Sequence, residues 1–227
     1  MIGRSVRAVL PSLLRGWLGV AAALGALVVV VLGVLYAGDG KPGVVDARIW
    51  AVVEGVGPPW RYVALGTDFL GEPVGAVMLV VAAVTGCLVL RCPRAAVLSV
   101  VGVGLTVGTA KLLKHLVGRT IHGDGNLSYP SGHTAFLTAL ALVVALIAAS
   151  RLGLGRTVGT LLVLASGLVA GAAMGWAQVA LGAHYPTDVL GGWCTALAVV
   201  PATAWLVDRA SDRLVGRTVD PRGQELR

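Results

Sequence analysis

Six apolar blocks divide this chain. Trp17–Ala37 runs for 21 residues without a charge. Pro73–Leu90, Ala95–Val117, His133–Ser150, Thr157–Leu181 and Asp188–Val207 follow, separated by short polar stretches. The 18 residues of His133–Ser150 rise about 27 Å as a helix, close to a hydrocarbon core of roughly 30 Å. The pattern predicts an all-α protein, a six-helix transmembrane bundle over residues 17–207. Segment 1–16 precedes it, and a charged, frayed tail, 208–227, follows.

The connections differ in character. Arg91-Cys92-Pro93-Arg94 and Arg151–Arg156 read as tight basic turns. Residues 38–71 are mixed, with frequent Gly and Pro and charges of both signs. Within them Val44–Val56 reads either as a short helix in the headgroup layer or as ordered extramembrane loop. Gly104 and Gly108 in the third block, and Gly167, Gly171 and Gly175 in the fifth, suit close helix approach. The first block is too long for a signal peptide, whose apolar region spans roughly 7–15 residues. Trp17 and Tyr36 then serve as interfacial anchors.

Composition supports the membrane reading. The chain of 227 residues is 56% hydrophobic and 13% charged, with mean hydropathy +0.85. A soluble domain carries about 25% charged residues, so the polar surface is too small to cover a water-soluble globule. The net charge of +7 does not point to nucleic acid, because the bases are scattered between apolar spans. Arginine outnumbers lysine fifteen to three, which together with abundant Ala, Val and Gly suggests a GC-rich bacterial genome. Cys87, Cys92 and Cys194 show no metal-type spacing and read as small hydrophobes.

Charge also sets orientation. With the N-terminus inside, inner segments hold twelve bases and outer segments six. The bias favours both termini in the cytoplasm. The mouths at 118–133 and 182–188 then share the outer face.

Those two mouths carry the candidate chemistry. Lys111, Lys114 and His115 share a helical face at the end of the third block, and Gly118 fits a C-cap. Cations at a helix C-terminus are ordinary, since they complement the dipole and snorkel to the interface. Arg119 and the turn Tyr129-Pro130-Ser131-Gly132-His133 change that reading. Ser131 and Gly132 would leave backbone N–H groups free at a helix N-terminus, an anion site. In the second mouth Pro186 suits a first helical turn, and Asp188 can reach back to His184. A carboxylate on one ring nitrogen fixes the tautomer and leaves the other as base or nucleophile. Alone, that spacing is also what a capping Asp beside an interfacial His would give.

Taken together the residues resemble the type 2 phosphatidic acid phosphatase family, whose pattern is KxxxxxxRP, PSGH and SRxxxxxHxxxD. The resemblance covers roughly residues 70–205. Lys114 matches the first lysine, Pro130–His133 the second motif, and His184 and Asp188 the end of the third. Ile121 and His122 stand where Arg-Pro is expected, and Ala177-Gln178 where Ser-Arg is expected.

The resemblance implies a metal-independent membrane lipid phosphatase with no cofactor. His184 is then the nucleophile that forms a phosphohistidine, Asp188 orients it, and His133 is general acid and base. Lys114, Arg119 and the Ser131–Gly132 backbone would hold the phosphate, with Lys111, His122 and Gln178 as further candidates. No carboxylate cluster for Mg²⁺ is expected. The expected substrate is a lipid phosphate in a bacterial plasma membrane, of polyprenyl or glycerophospholipid type, met from outside. The alternatives are a non-catalytic phospholipid-binding or transport protein on the same fold, and a lipid phosphotransferase.

Overall fold

The computed structural model describes residues 8–218, and side chains as far as residue 214. Eight helices account for most of it: α1 (Ser12–Leu35), α2 (Val44–Val53), α3 (Trp60–Phe69), α4 (Pro73–Val89), α5 (Pro93–Val117), α6 (Gly132–Leu152), α7 (Arg156–Ala180) and α8 (Pro186–Thr218). Strands are absent among the described residues; a single antiparallel bridge joins Thr120 and Leu127.

Local chemistry sets the boundaries. Pro73 and Pro93 open α4 and α5, where a missing N–H costs nothing. Gly118 ends α5 at φ 67° and returns its N–H to Lys114 O, the left-handed cap that a glycine adopts without strain. Ser131 caps α6, its Oγ accepting from Thr134 N at 3.4 Å. The glycine row of α7 behaves as its spacing predicts. A Cβ at Gly171 would strike Trp193, and one at Gly175 would strike Val189, both on α8.

Five helices are individually long and apolar enough to cross a membrane: α1, α5, α6, α7 and α8. The second block departs from the simple expectation. Helix α4 has 17 residues, which rise about 26 Å and fall short of a hydrocarbon core. It is preceded by α3, bent from it by 62°, and the pair together would make the sixth span. Of the two readings of Val44–Val56 the helix holds, as α2, and residues 38–71 contain a second short helix, α3. Helix α3 packs through Ala64 on Ala177 and Ala180 of α7.

Up to Thr218 the tail is a correction as well, while 219–227 lie outside the described residues. Charge alone suggested fraying from 208, but α8 continues to Thr218 and Asp208 is buried. Its carboxylate accepts from Val9 N at 2.9 Å and Leu10 N at 2.8 Å. These bonds bring the start of α1 and the far end of α8 to one face of the bundle. Of the cysteines, Cys87 and Cys194 are buried and Cys92 half-buried, all unpaired. A core of Leu14, Leu18, Leu98, Leu142, Leu146 and Val200, among others, fills the centre.

Candidate active site

On the opposite face two loops meet. The first leaves α5 at Gly118 and folds into a small hairpin, with Ile121 N bonded to Asn126 O at 3.0 Å and Ser128 N to Arg119 O at 2.8 Å. Tyr129 anchors it to α1, its hydroxyl donating to Val29 O at 2.8 Å. Burial raises the Tyr129 phenol pKa, so the hydroxyl stays protonated and a donor. The second loop joins α7 to α8. Ser131 N donates to Asp188 O at 2.9 Å, so the two loops are bonded directly.

His184 and Asp188 lie in this junction. His184 Nδ1 sits 3.6 Å from Asp188 Oδ2 and has no hydrogen-bond partner. Its side chain is 9% exposed. Burial pushes its pKa below the usual imidazole range. Asp188 opposes this, while the charges of Lys114 and His133 add to it.

The Asp188 carboxylate is held from two directions. Its Oδ1 accepts from Arg119 Nη1 at 2.6 Å, and its Oδ2 from Tyr185 N at 3.0 Å. Arg119 also donates to Thr187 Oγ1 at 2.6 Å and to Asp46 Oδ2 at 2.7 Å. Its guanidinium carbon stands 4.0 Å from the Tyr36 ring centre and 4.5 Å from that of Tyr185. Stacking between two aromatic faces stabilises a cation in a desolvated place.

His133 opens α6 and is 29% exposed at its side chain. Its Nε2 lies 3.7 Å from Asp68 Oδ1 and 3.7 Å from Glu72 Oε1, too far for hydrogen bonds. Gly71 backs onto the ring so closely that a Cβ there would overlap His133 Cδ2. Gln178, buried on α7, donates to Asp68 Oδ1 at 2.5 Å.

Several sequence expectations change here. Arg119 was expected on the phosphate, but it has no exposed surface and both Nη atoms are engaged by carboxylates. It frames Asp188 instead. Ser131 was expected to offer a free N–H; that group is bonded to Asp188 O, and its Oγ accepts from Thr134. Gly132 begins α6, where its amide has no intrahelical acceptor. Lys114 turns inward and donates to Leu127 O at 2.6 Å and Ser128 O at 3.2 Å. Lys111 is exposed on α5 and does not join the cluster. His122 bonds Gly182 O through Nε2 at 2.7 Å and meets the Trp50 ring edge-on. Ile121 is buried, 2% exposed.

Sequence reading passed over Asp46, Asp68 and Glu72. Each is an acid in or beside a short apolar helix, a costly place for a charge without a partner; that cost was the available signal. The expectation that no carboxylates would gather is also corrected. Asp68, Glu72 and His133 bring one ligand atom each to within 4.8 Å of one another, a donor set of the kind that could hold a divalent cation.

The PAP2 superfamily model matches residues 75–212, more than half of the chain. The chain belongs to the PAP2 superfamily. A crystal structure of a transmembrane PAP2-type phosphatidylglycerolphosphate phosphatase from Bacillus subtilis shares its fold, with TM-score 0.65 at 22% identity over 85% of this chain and 96% of that one. Among curated proteins none matches the chain. Membership makes this a membrane protein of a phosphatase family. The matched segment contains Lys114, the PSGH turn, His184 and Asp188. Asp46, Asp68 and Glu72 lie N-terminal to it.

Proposed function

We propose that the protein hydrolyses a lipid phosphomonoester or diphosphate through a phosphohistidine at the outer membrane face. The observation that carries this reading is the bond from Ser131 N to Asp188 O. It joins the N-cap of α6, two residues before His133, to the first turn of α8, four residues after His184.

The chemistry follows from the contacts. Asp188 faces Nδ1 of His184, so Nε2 is the nitrogen left to attack phosphorus. The P–Nε2 bond forms as the bond to the leaving oxygen breaks, and His133 gives that oxygen its proton. Water then attacks the phosphohistidine while His133 takes a proton from it. The net result is a lipid alcohol and inorganic phosphate, or the lipid monophosphate where the substrate is a diphosphate. Lys114 and the Gly132 amide stabilise the equatorial oxygens. The excess of bases on the opposite loops supports an outward-facing site. Polyprenyl phosphates, phosphatidic acid and phosphatidylglycerol phosphate are the candidate substrates.

One observation favours a second reading, a phospholipid-binding protein without turnover. Both family arginines are missing, with Ile121 and Gln178 in their places, and Arg119 does not replace them. Phosphate release from a panel of lipid phosphates in detergent, with and without EDTA, separates the readings. Turnover that survives EDTA and is blocked by vanadate is expected. Loss of turnover in EDTA would assign an ion to Asp68, Glu72 and His133. Absence of release from every lipid in the panel would leave the binding reading.

A further inference from the structure

The Arg119 cluster contains more charge than orienting one histidine requires. Asp188 alone would give His184 a negative neighbour. Arg119, bonded to Asp188 at 2.6 Å, would cancel it. Asp46 is the third member, bonded to Arg119 at 2.7 Å. One guanidinium shared by two carboxylates leaves the group with a net charge of −1. Thr187, Tyr36 and Tyr185, which complete the cage, are neutral.

Asp46 is placed for this and little else. It sits in the first turn of α2 and has no exposed surface. Its local bond, from Gly43 N, is long at 3.3 Å. The shorter ones come from elsewhere: Thr187 N to Oδ1 at 2.8 Å and Thr187 Oγ1 to Oδ2 at 2.8 Å. Asp46 thus caps the N-terminus of α8, the helix that carries Asp188 in its first turn.

Taking the phosphatase reading as its basis, we propose that Asp46 is a positioning residue for the nucleophile. It holds Arg119 and offsets its charge, so that Asp188 remains effectively anionic toward His184. Attack on phosphorus places positive charge on the imidazole, and a group at −1 stabilises that charge where a neutral pair would not. The outer segment before α3 then belongs to the catalytic apparatus, although it precedes the residues that the family model matches.

Asp46→Asn keeps an oxygen to cap Thr187 and removes the charge. Expected is a fall in kcat of about tenfold or more, the equivalent of one pKa unit, with KM within about twofold. The double variant Asp46→Asn with Arg119→Gln returns the group to −1, so kcat recovers at least ~3-fold over Asp46→Asn alone. A merely structural Asp46 predicts no recovery. The second readout needs no turnover: the pH dependence of diethyl pyrocarbonate modification at His184, followed by peptide mass spectrometry, with exposed His115 as control. Its apparent pKa falls by about half a unit or more in Asp46→Asn and returns in the double variant. The groups facing His184 are Asp188, Lys114 and His133, and all three are unchanged across this set.

Should Asp46→Asn fail to fold, Arg119→Gln examines the same electrostatics from the other side. The group goes from −1 to −2 and the His184 pKa must rise. An unmoved His184 pKa, or a double variant no faster than Asp46→Asn, overturns the assignment. A wild-type protein that releases no phosphate sinks only the phosphatase reading; the titration still decides this one.

Discussion

Two arginines flank α5, and both are shared between two aspartates. Arg94, at its start, lies 3.6 Å from Asp208 and 2.8 Å from Asp212. Arg119, just past its end, lies 2.7 Å from Asp46 and 2.6 Å from Asp188. The difference is in the remaining oxygens. Asp208 directs one at Val9 N and the other at Leu10 N, and Asp212 is 64% exposed. That cluster is a clamp between α1, α5 and α8. Asp188 instead turns Oδ2 toward His184, whose Nδ1 has no other partner. The same ion-pair chemistry thus fastens elements where both carboxylate oxygens are spent on backbone donors, whereas at Asp188 the oxygen that accepts from Tyr185 N also faces a titratable ring.

The strongest way to break this comparison is at the ring itself. His184→Ala removes the proposed nucleophile and should lower phosphate release by ~10⁴-fold or more, with the melting temperature nearly unchanged. Retained turnover would end the nucleophile assignment. Next come the matched aspartates. Asp188→Asn should cost about 10²–10⁴-fold in kcat, as loss of an orienting carboxylate does. Asp208→Asn should leave kcat within about threefold and destabilise instead. Breaking a buried pair costs about 3–5 kcal/mol, on the order of 10 °C in a chain of this size. If both substitutions lower Tm and kcat in the same proportion, the two clusters are not distinct in kind.

This contrast was only half legible in the sequence. The apolar blocks gave the spans because crossing a bilayer leaves a strong one-dimensional signature, and α5, α6 and α7 begin and end within two residues of their predicted limits. His184, Asp188 and the Pro130–His133 turn stood out because local spacing carries their geometry. Asp46 did not, since it acts on Thr187 and Arg119 across 141 and 73 positions. Arg119 was misread for the same reason: a cation near a phosphate motif reads as a ligand until its carboxylates are seen. The bend between α3 and α4, and the helical tail beyond 207, depend on packing that hydropathy does not record.

A smaller effect is expected at Gln178. It stands where the family carries arginine, and it donates to Asp68 rather than facing the two loops' junction alone. Gln178→Arg adds a charge-assisted donor, which contributes about 1.5–3 kcal/mol, so vanadate should bind at least ~10-fold more tightly. Unchanged or weaker binding, measured by inhibition or calorimetry, would mean that Asp68 captures the new guanidinium and that this site is balanced for fewer cations than its relatives.

The smallest effect concerns pH, and its sign separates the two arginine clusters once more. Only the unprotonated ring of His184 can attack phosphorus. Burial lowers its pKa, the charges of Lys114 and His133 lower it further, and Asp188 opposes them without cancelling the shift. The neutral ring therefore persists below the ordinary imidazole value of about 6.5. The acid limb of kcat/KM, which reports the free enzyme, should have its midpoint under that value. The linkage runs the same way for stability. Between the folded and unfolded pKa values the unfolded chain binds more protons, so stability falls as pH drops below about 6.5. Asp188→Asn removes the opposing charge and should move the acid limb lower still. Asp208→Asn, with no histidine beside it, should leave the limb in place. An acid limb at or above 6.5 in the wild type would mean that Asp188 outweighs burial, and that His184 meets its substrate already protonated.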